Sequence, residues 1–205
     1  MTRLFATAAA AGLAAVLGGT AGYIWLGSAS DDPLAKCRAG QVAGGSIGGP
    51  FTLVDQTGAT VTDKQVLATP SLVYFGYTFC PDVCPLDNAR NAEVADLLQE
   101  KGLQVTPVFI TVDPARDTPD VMAEYAAAIH PRMIALTGTA DQVKQASLAY
   151  KTYFKQQPAE DEFYLMDHST FTYLMLPNLG FVEFFDRDTP AEKMAEQTAC
   201  FIEAG

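Results

Sequence analysis

Basic side chains are scarce. The 205 residues carry 13 Lys and Arg against 24 Asp and Glu, a formal net charge of −11. A nucleic-acid binder draws its affinity from neutralising phosphates with Lys and Arg, so that class is excluded. Charged residues of both signs make up only 18% and apolar ones 49%, which excludes a disordered chain. Histidine occurs only twice, as His130 and His168, leaving no room for a site built from several imidazoles. The four cysteines, Cys37, Cys80, Cys84 and Cys200, are too few for a disulfide scaffold but even in number. Core-forming material is plentiful, with 12 Phe and 8 Tyr.

Charge is also missing locally. No charged side chain occurs from Leu4 to Ser30. As a helix, residues 4–26 would be about 34 Å long, enough for the hydrocarbon core of a bilayer. Arg3 precedes this segment and Asp31 and Asp32 follow it, so the positive-inside rule leaves residues 1–3 as a cytoplasmic tip. The expected organisation is a single-pass transmembrane anchor over 4–26 in the inner membrane, a flexible tether over 27–50, and one domain over 51–205 on the periplasmic side. Cleavage of a signal peptide at Ser28-Ala29-Ser30 is the alternative, and it exports the same residues. All 24 acidic and 12 of the 13 basic residues lie in the exported part, giving it −12. Five of the eleven residues from Gly40 to Pro50 are glycine, which suits a tether.

Residues 51–55 and 59–62, split by Gln56-Thr57-Gly58, read as a hairpin. The apolar run 72–75 ending at Gly76 reads as a buried central strand. A surface loop over 77–85 carries two cysteines, placed there without a duty in the core. A helix follows over 86–101, with Leu86, Val94, Leu97 and Leu98 on its inward face. Residues 108–112 form the next strand, and Thr118-Pro119 caps and opens a helix to about residue 129. A short strand over 133–136 precedes a helix that the Thr139/Gln142 capping box opens and that runs to about residue 154. Strands over 171–176 and 181–185 form a hairpin, and Thr189-Pro190 opens a last helix. Strands alternating with helices imply an α/β protein with a covered central sheet. The order resembles a thioredoxin-like fold with a preceding N-terminal β-hairpin and an inserted strand and helix.

The chemistry centres on Cys80-Pro81-Asp82-Val83-Cys84. Two thiols four residues apart at a helix entry can approach each other, and the helix N-terminus favours the thiolate. Such a pair forms a disulfide by exchange or holds a soft metal such as Cu(I). A structural disulfide is the plainer reading, but so small a loop adds little through chain entropy. His168 lies just before the strand over 171–176. Alone it is a hydrogen-bonded residue or a ligand; joined to two thiolates it completes a three-coordinate site suited to Cu(I) or Cu(II). Zn(II) would want a fourth ligand. His130, before Pro131, reads as a solvated helix C-cap with no assigned role. Cys37 and Cys200 are expected to pair with each other in an oxidising compartment, with free thiols or an intermolecular bridge as alternatives.

Tyr74-Phe75-Gly76-Tyr77-Thr78-Phe79-Cys80-Pro81-Asp82-Val83-Cys84-Pro85 resembles the signature of the Sco/SenC family of copper chaperones. Asp113-Pro114-Ala115-Arg116-Asp117-Thr118-Pro119 is similar to the family's second motif. Asp167-His168-Ser169, followed by Tyr173-Leu174-Met175 and Pro177, is similar to its third. The resemblance implies a membrane-anchored metallochaperone that binds copper through Cys80, Cys84 and His168. It also implies a role in assembling the copper centre of cytochrome c oxidase, with the oxidase's copper-bearing subunit and a copper-donating carrier as partners. Asp82 is expected to tune the cysteine loop or meet a partner, and Arg116 and Asp117 to fix the neighbouring loop by local pairing. The rival functions are a thiol–disulfide oxidoreductase using Cys80 and Cys84, which would make the chain an enzyme, and a redox or copper sensor.

Overall fold

Thr52–Asp55 (β1) and Thr60–Thr62 (β2) pair antiparallel around Gly58, whose φ of 82° only glycine adopts freely. They are the first elements of a computed structural model that describes residues 18–20, 32–38, 46–159 and 163–205. The chain divides into two units, residues 1–35 and 36–205. In the first, residues 18–20 are helical; the rest of the anchor expected over 4–26 lies outside the described residues. Among the described residues, no helix is long and apolar enough to cross a membrane.

The second unit continues with α1 (Asp63–Val66) and β3 (Ser71–Gly76), in which all six residues are buried. Next come α2 (Val83–Glu100), β4 (Thr106–Thr111), α3 (Pro119–Ile129), β5 (Ile134–Thr137) and α4 (Ala140–Ala149). The chain ends with β6 (Phe154–Gln156), β7 (Met166–His168), β8 (Thr172–Leu176), β9 (Gly180–Phe185) and α5 (Ala191–Ala204). The main sheet runs in the order β2-β1-β5-β4-β3-β8-β9. β3, β4 and β5 are mutually parallel, which requires the crossovers that α2 and α3 supply, while β8 and β9 return antiparallel on the other side of β3. This is the α/β arrangement expected, with β3 at its centre and Phe75, Phe109, Ile110, Leu136 and Tyr150 in the core.

Several expectations differ from the structure. Helix α2 starts at Val83, so Cys84 joins its first turn. Its inward face is then Cys84, Asp87, Asn88, Asn91, Val94 and Leu98, while Leu86 is 61% exposed. Three polar residues on that face hid it from a count of apolar spacing. Both cysteines are buried in the main core rather than lodged in a surface loop. Helix α4 stops at Ala149, where Lys151 takes a left-handed φ of 53° and turns the chain into β6. His168 therefore ends a strand of its own, β7, paired with Phe154 in a ribbon separate from the main sheet. His130 caps α3 but is buried: its Nε2 lies 3.2 Å from Asp96 Oδ1, and its Nδ1 accepts from the Arg132 amide.

Of the segment expected as a tether, residues 27–31 and 39–45 lie outside the described residues, and residues 36–38 and 46–50 belong to the second unit. Cys37 is buried and disulfide-bonded to Cys200 of α5, with the Cα atoms 5.6 Å apart. The Gly48 amide donates to the Ala149 carbonyl at 2.9 Å. At Gly48 φ is 84° and a Cβ would stand 2.8 Å from the Met175 methyl, so that contact needs glycine.

Candidate metal centre

The end of β3 delivers the chain to the site. A Cβ on Gly76 would lie 2.8 Å from Cys84 Sγ and 2.9 Å from the Tyr74 ring, so the strand must end in glycine for the sulfur to pack there. The chain then turns through Tyr77–Asp82 to the first turn of α2. Cys80 stands just before that turn and its Sγ accepts the Cys84 amide at 3.3 Å, using one of the helix's unpaired N–H groups. Asp82 takes the N-cap position and is exposed, with no hydrogen bond from its carboxylate to the helix.

His168 arrives from the other side, on β7. Its Nδ1 lies 2.9 Å from the Ser169 carbonyl oxygen, which can only accept, so the ring hydrogen sits on Nδ1. Nε2 is left with its lone pair 3.3 Å from Cys84 Sγ. Tyr74 and Tyr77 meet the imidazole edge-on, at centroid distances of 6.1 and 5.8 Å and angles of 87° and 88°. These two rings form a slot that fixes the imidazole plane. Cys80, Cys84 and His168 thus present two sulfurs and one nitrogen that all lie within 4.8 Å of one another.

The two thiols are not equivalent. A hydrogen bond from the Cys84 thiol holds Cys80 well below the ordinary thiol value of 9.0; burial opposes this, and the Asp82 and Cys84 amides support it. Cys84 is pushed up by that same bond to Cys80 and by its burial. The bond between the two sulfurs thus favours the thiolate on Cys80 and the proton on Cys84 in the reduced metal-free protein. The donor set is two soft sulfurs and one borderline nitrogen, which suits Cu(I) and accepts Cu(II). Among the described residues, no other group of His, Cys, Asp and Glu converges in this way.

Several residues around the site make contacts that local spacing in the sequence does not give. Tyr74 is fully buried and donates to Asp87 Oδ2 at 2.9 Å, just behind Cys84. Asn88 donates from its Nδ2 to the Cys84 carbonyl at 3.0 Å. Asp117 pins the cysteine loop across 39 residues, accepting the Thr78 amide at 3.1 Å and the Thr78 hydroxyl at 2.5 Å. The expected local pairing of Arg116 is with Asp113, Nε to Oδ2 at 2.5 Å. A buried tyrosine in an apolar strand reads as core, and only the fold reveals what it faces.

Comparison with known proteins agrees with this geometry. The SCO1/SenC family matches residues 40–203. Protein SenC of Rhodobacter capsulatus is 51% identical over 201 residues, which cover 97% of this chain and 91% of that one. The crystal structure of Arabidopsis thaliana ScoI with copper bound is 37% identical, covers 77% of this chain and 99% of its own, and superposes with a TM-score of 0.73. The crystal structure of yeast Sco1 with copper bound is 38% identical, covers 78% and 91%, and gives a TM-score of 0.74. The fold is thioredoxin-like, the sulfur and nitrogen donors converge at the end of its central strand, and the chain belongs to the SCO1/SenC family.

Proposed function

We propose that this chain is a copper metallochaperone that carries one copper ion on Cys80, Cys84 and His168 and serves assembly of the copper centre of cytochrome c oxidase. The observation that carries the reading is the convergence of two sulfurs and an imidazole nitrogen within 4.8 Å. The copper-bound structures of relatives from Arabidopsis and yeast support it. Cu(I) is cargo here, held by ligands that an acceptor's own sulfurs or imidazoles can replace one at a time without change of oxidation state. The partners are a carrier that donates copper and the oxidase subunit that receives it. The uncharged stretch from Leu4 to Ser30 supports a single-pass inner-membrane anchor with the site on the periplasmic side.

The asymmetry of the two thiols favours a second reading, thiol–disulfide exchange, with Cys80 as the attacking thiolate and Cys84 as the resolving thiol. Anaerobic copper titration of the reduced full-length chain, with insulin reduction measured on the same sample, separates the two. The chaperone reading expects one copper per chain with sulfur and nitrogen ligation by X-ray absorption; oxygen and nitrogen ligands alone would overturn it. In His168→Ala, Cu(I) binding weakens, Cu(II) binding is lost far more, and insulin reduction is unchanged. Oxidase assembly that survives in His168→Ala cells but fails in Cys80→Ser cells would favour exchange.

A further inference from the structure

Arg116 stands between the two segments that carry the ligands. Its guanidinium carbon lies 3.6 Å from the centroid of the Tyr164 ring, 4.8 Å from that of Phe79 and 5.8 Å from that of Tyr77. Tyr77 and Phe79 lead directly into Cys80, and Tyr164 stands four residues before His168. Asp113 braces the arrangement from behind. One of its carboxylate oxygens accepts Arg116 Nε at 2.5 Å, the other accepts the Tyr164 hydroxyl at 2.8 Å, and its amide donates to Thr111 Oγ1 at 2.8 Å.

The ribbon that bears His168 needs such a hold. β6 and β7 contribute three residues each and pair with each other rather than with the main sheet. A two-stranded ribbon of that length is not stable by itself in water. Cys80 and Cys84, in contrast, are fixed by the core and by the first turn of a long helix. Phe154 and Met166 seat the ribbon on the core and Tyr74 meets the imidazole from β3, while the contacts that tie the ribbon's end to the cysteine loop itself run through Tyr77 and Arg116.

We infer that Arg116, braced by Asp113 and stacked between Tyr164 and Phe79, is a positioning residue that holds His168 at bonding distance from the two cysteines. The inference rests on the copper reading of the site. Guanidinium is suited to this place because it is planar, permanently charged, and able to stack on a ring while donating in its own plane. Lysine offers the charge without the plane. Cu(I) is content with two thiolates, whereas Cu(II) depends on the nitrogen, so the two oxidation states report separately on the sulfurs and on the clamp.

The test loads the purified full-length chain with one equivalent of Cu(II) and reads the thiolate-to-copper absorption and the nitrogen hyperfine structure of the electron paramagnetic resonance spectrum. Cu(I) affinity is measured on the same preparations by competition with a chromophoric chelator. Arg116→Ala and Tyr164→Leu are expected to weaken Cu(II) binding about tenfold or more, the range for groups that orient a metal ligand. Nitrogen hyperfine structure should fade while Cu(I) affinity barely changes. Arg116→Lys should fail to restore the signal, and Tyr164→Phe, which keeps the ring and loses the bond to Asp113, should fall between. Should Arg116→Ala lose its folded near-ultraviolet signal, the two variants at Tyr164, which precedes β7 and lies outside the main sheet, carry the test. Wild-type Cu(II) spectra and affinity in the folded clamp variants would overturn the inference and leave the copper reading standing. A wild-type chain with no sulfur-and-nitrogen signature would overturn the copper reading itself.

Discussion

The hydroxyl of Tyr74 donates to the carboxylate of Asp87 at 2.9 Å, and both groups are shut off from solvent against Cys84. Burial raises the Asp87 carboxyl above its ordinary value, and the bond from Tyr74 and the charge of Arg90, 3.4 Å away, act against that rise. Tyr74→Phe removes the donor and keeps the ring against His168. The cost is that of a buried acceptor left short of a partner, about 1–3 kcal/mol, read as a lower urea midpoint. An unchanged midpoint would show that the carboxyl is satisfied by its other neighbours.

Cys80→Ser and Cys84→Ser both abolish tight copper binding, but they part company in stability. Cys84 has no exposed surface and packs against Gly76 and Tyr74, so the smaller, more strongly hydrated hydroxyl must be desolvated there and leaves space unfilled, with Cys80 and His168 offsetting only part of the cost. Cys84→Ser should lose about 1–3 kcal/mol. Cys80, at 8% exposure beside the helix start, should lose less. Denaturant unfolding of the reduced metal-free proteins measures the difference, and equal midpoints would contradict the burial.

The two thiols make the reduced metal-free protein pH-dependent in a fixed direction. Folded Cys80 gives up its proton below the ordinary value of 9.0, where an unfolded cysteine still holds one. Between its depressed value and 9.0 the unfolded state binds more protons, so stability rises with pH across that window and is lost as pH falls through the depressed value. Cys84 is shifted the other way, so its contribution is intact below 9.0 and fades only above it. The stability difference between wild type and Cys80→Ser should therefore grow from about pH 5 to about pH 8. A flat difference would place the shared proton elsewhere.

The disulfide between Cys37 and Cys200 spans 163 residues. Replacing both cysteines with serine should cost roughly 2–5 kcal/mol, mostly through the freedom returned to the unfolded chain. Copper stoichiometry should not change, because neither sulfur belongs to the cluster of Cys80, Cys84 and His168. Thermal melts and copper titration of the double variant check both statements.

The contiguous parts of this site were open to reading from the chain, and the assembled parts were not. Cys80 and Cys84 sit four residues apart at the edge of an apolar run, so their approach follows from local geometry. His168 is legible through its motif, but the strand that holds it is not, because β6 and β7 are three residues long and show no sustained alternation. Apolar spacing does not reveal the inward face of α2, because Asp87, Asn88 and Asn91 are buried on hydrogen-bond partners that come from other elements. The stack of Arg116 on Tyr164 joins residues 48 apart in the chain, and no spacing rule links them.

The bridge from Cys37 to Cys200 has a bearing on how the chain matures. Four cysteines allow three intramolecular pairings, and only one of them joins Cys37 to Cys200 while leaving Cys80 and Cys84 to each other. During synthesis Cys37, Cys80 and Cys84 all emerge more than a hundred residues before Cys200 does. Throughout that interval any oxidation of Cys37 is at the expense of a copper ligand. The order of events therefore matters: the cysteines of the site need to be reduced or enclosed in the core until α5 arrives with the fourth sulfur. Oxidation of the thiols as they appear would trap the chain with its metal site closed by the wrong partner, and a thiol-reducing factor acting before α5 is made would raise the yield of metal-competent protein.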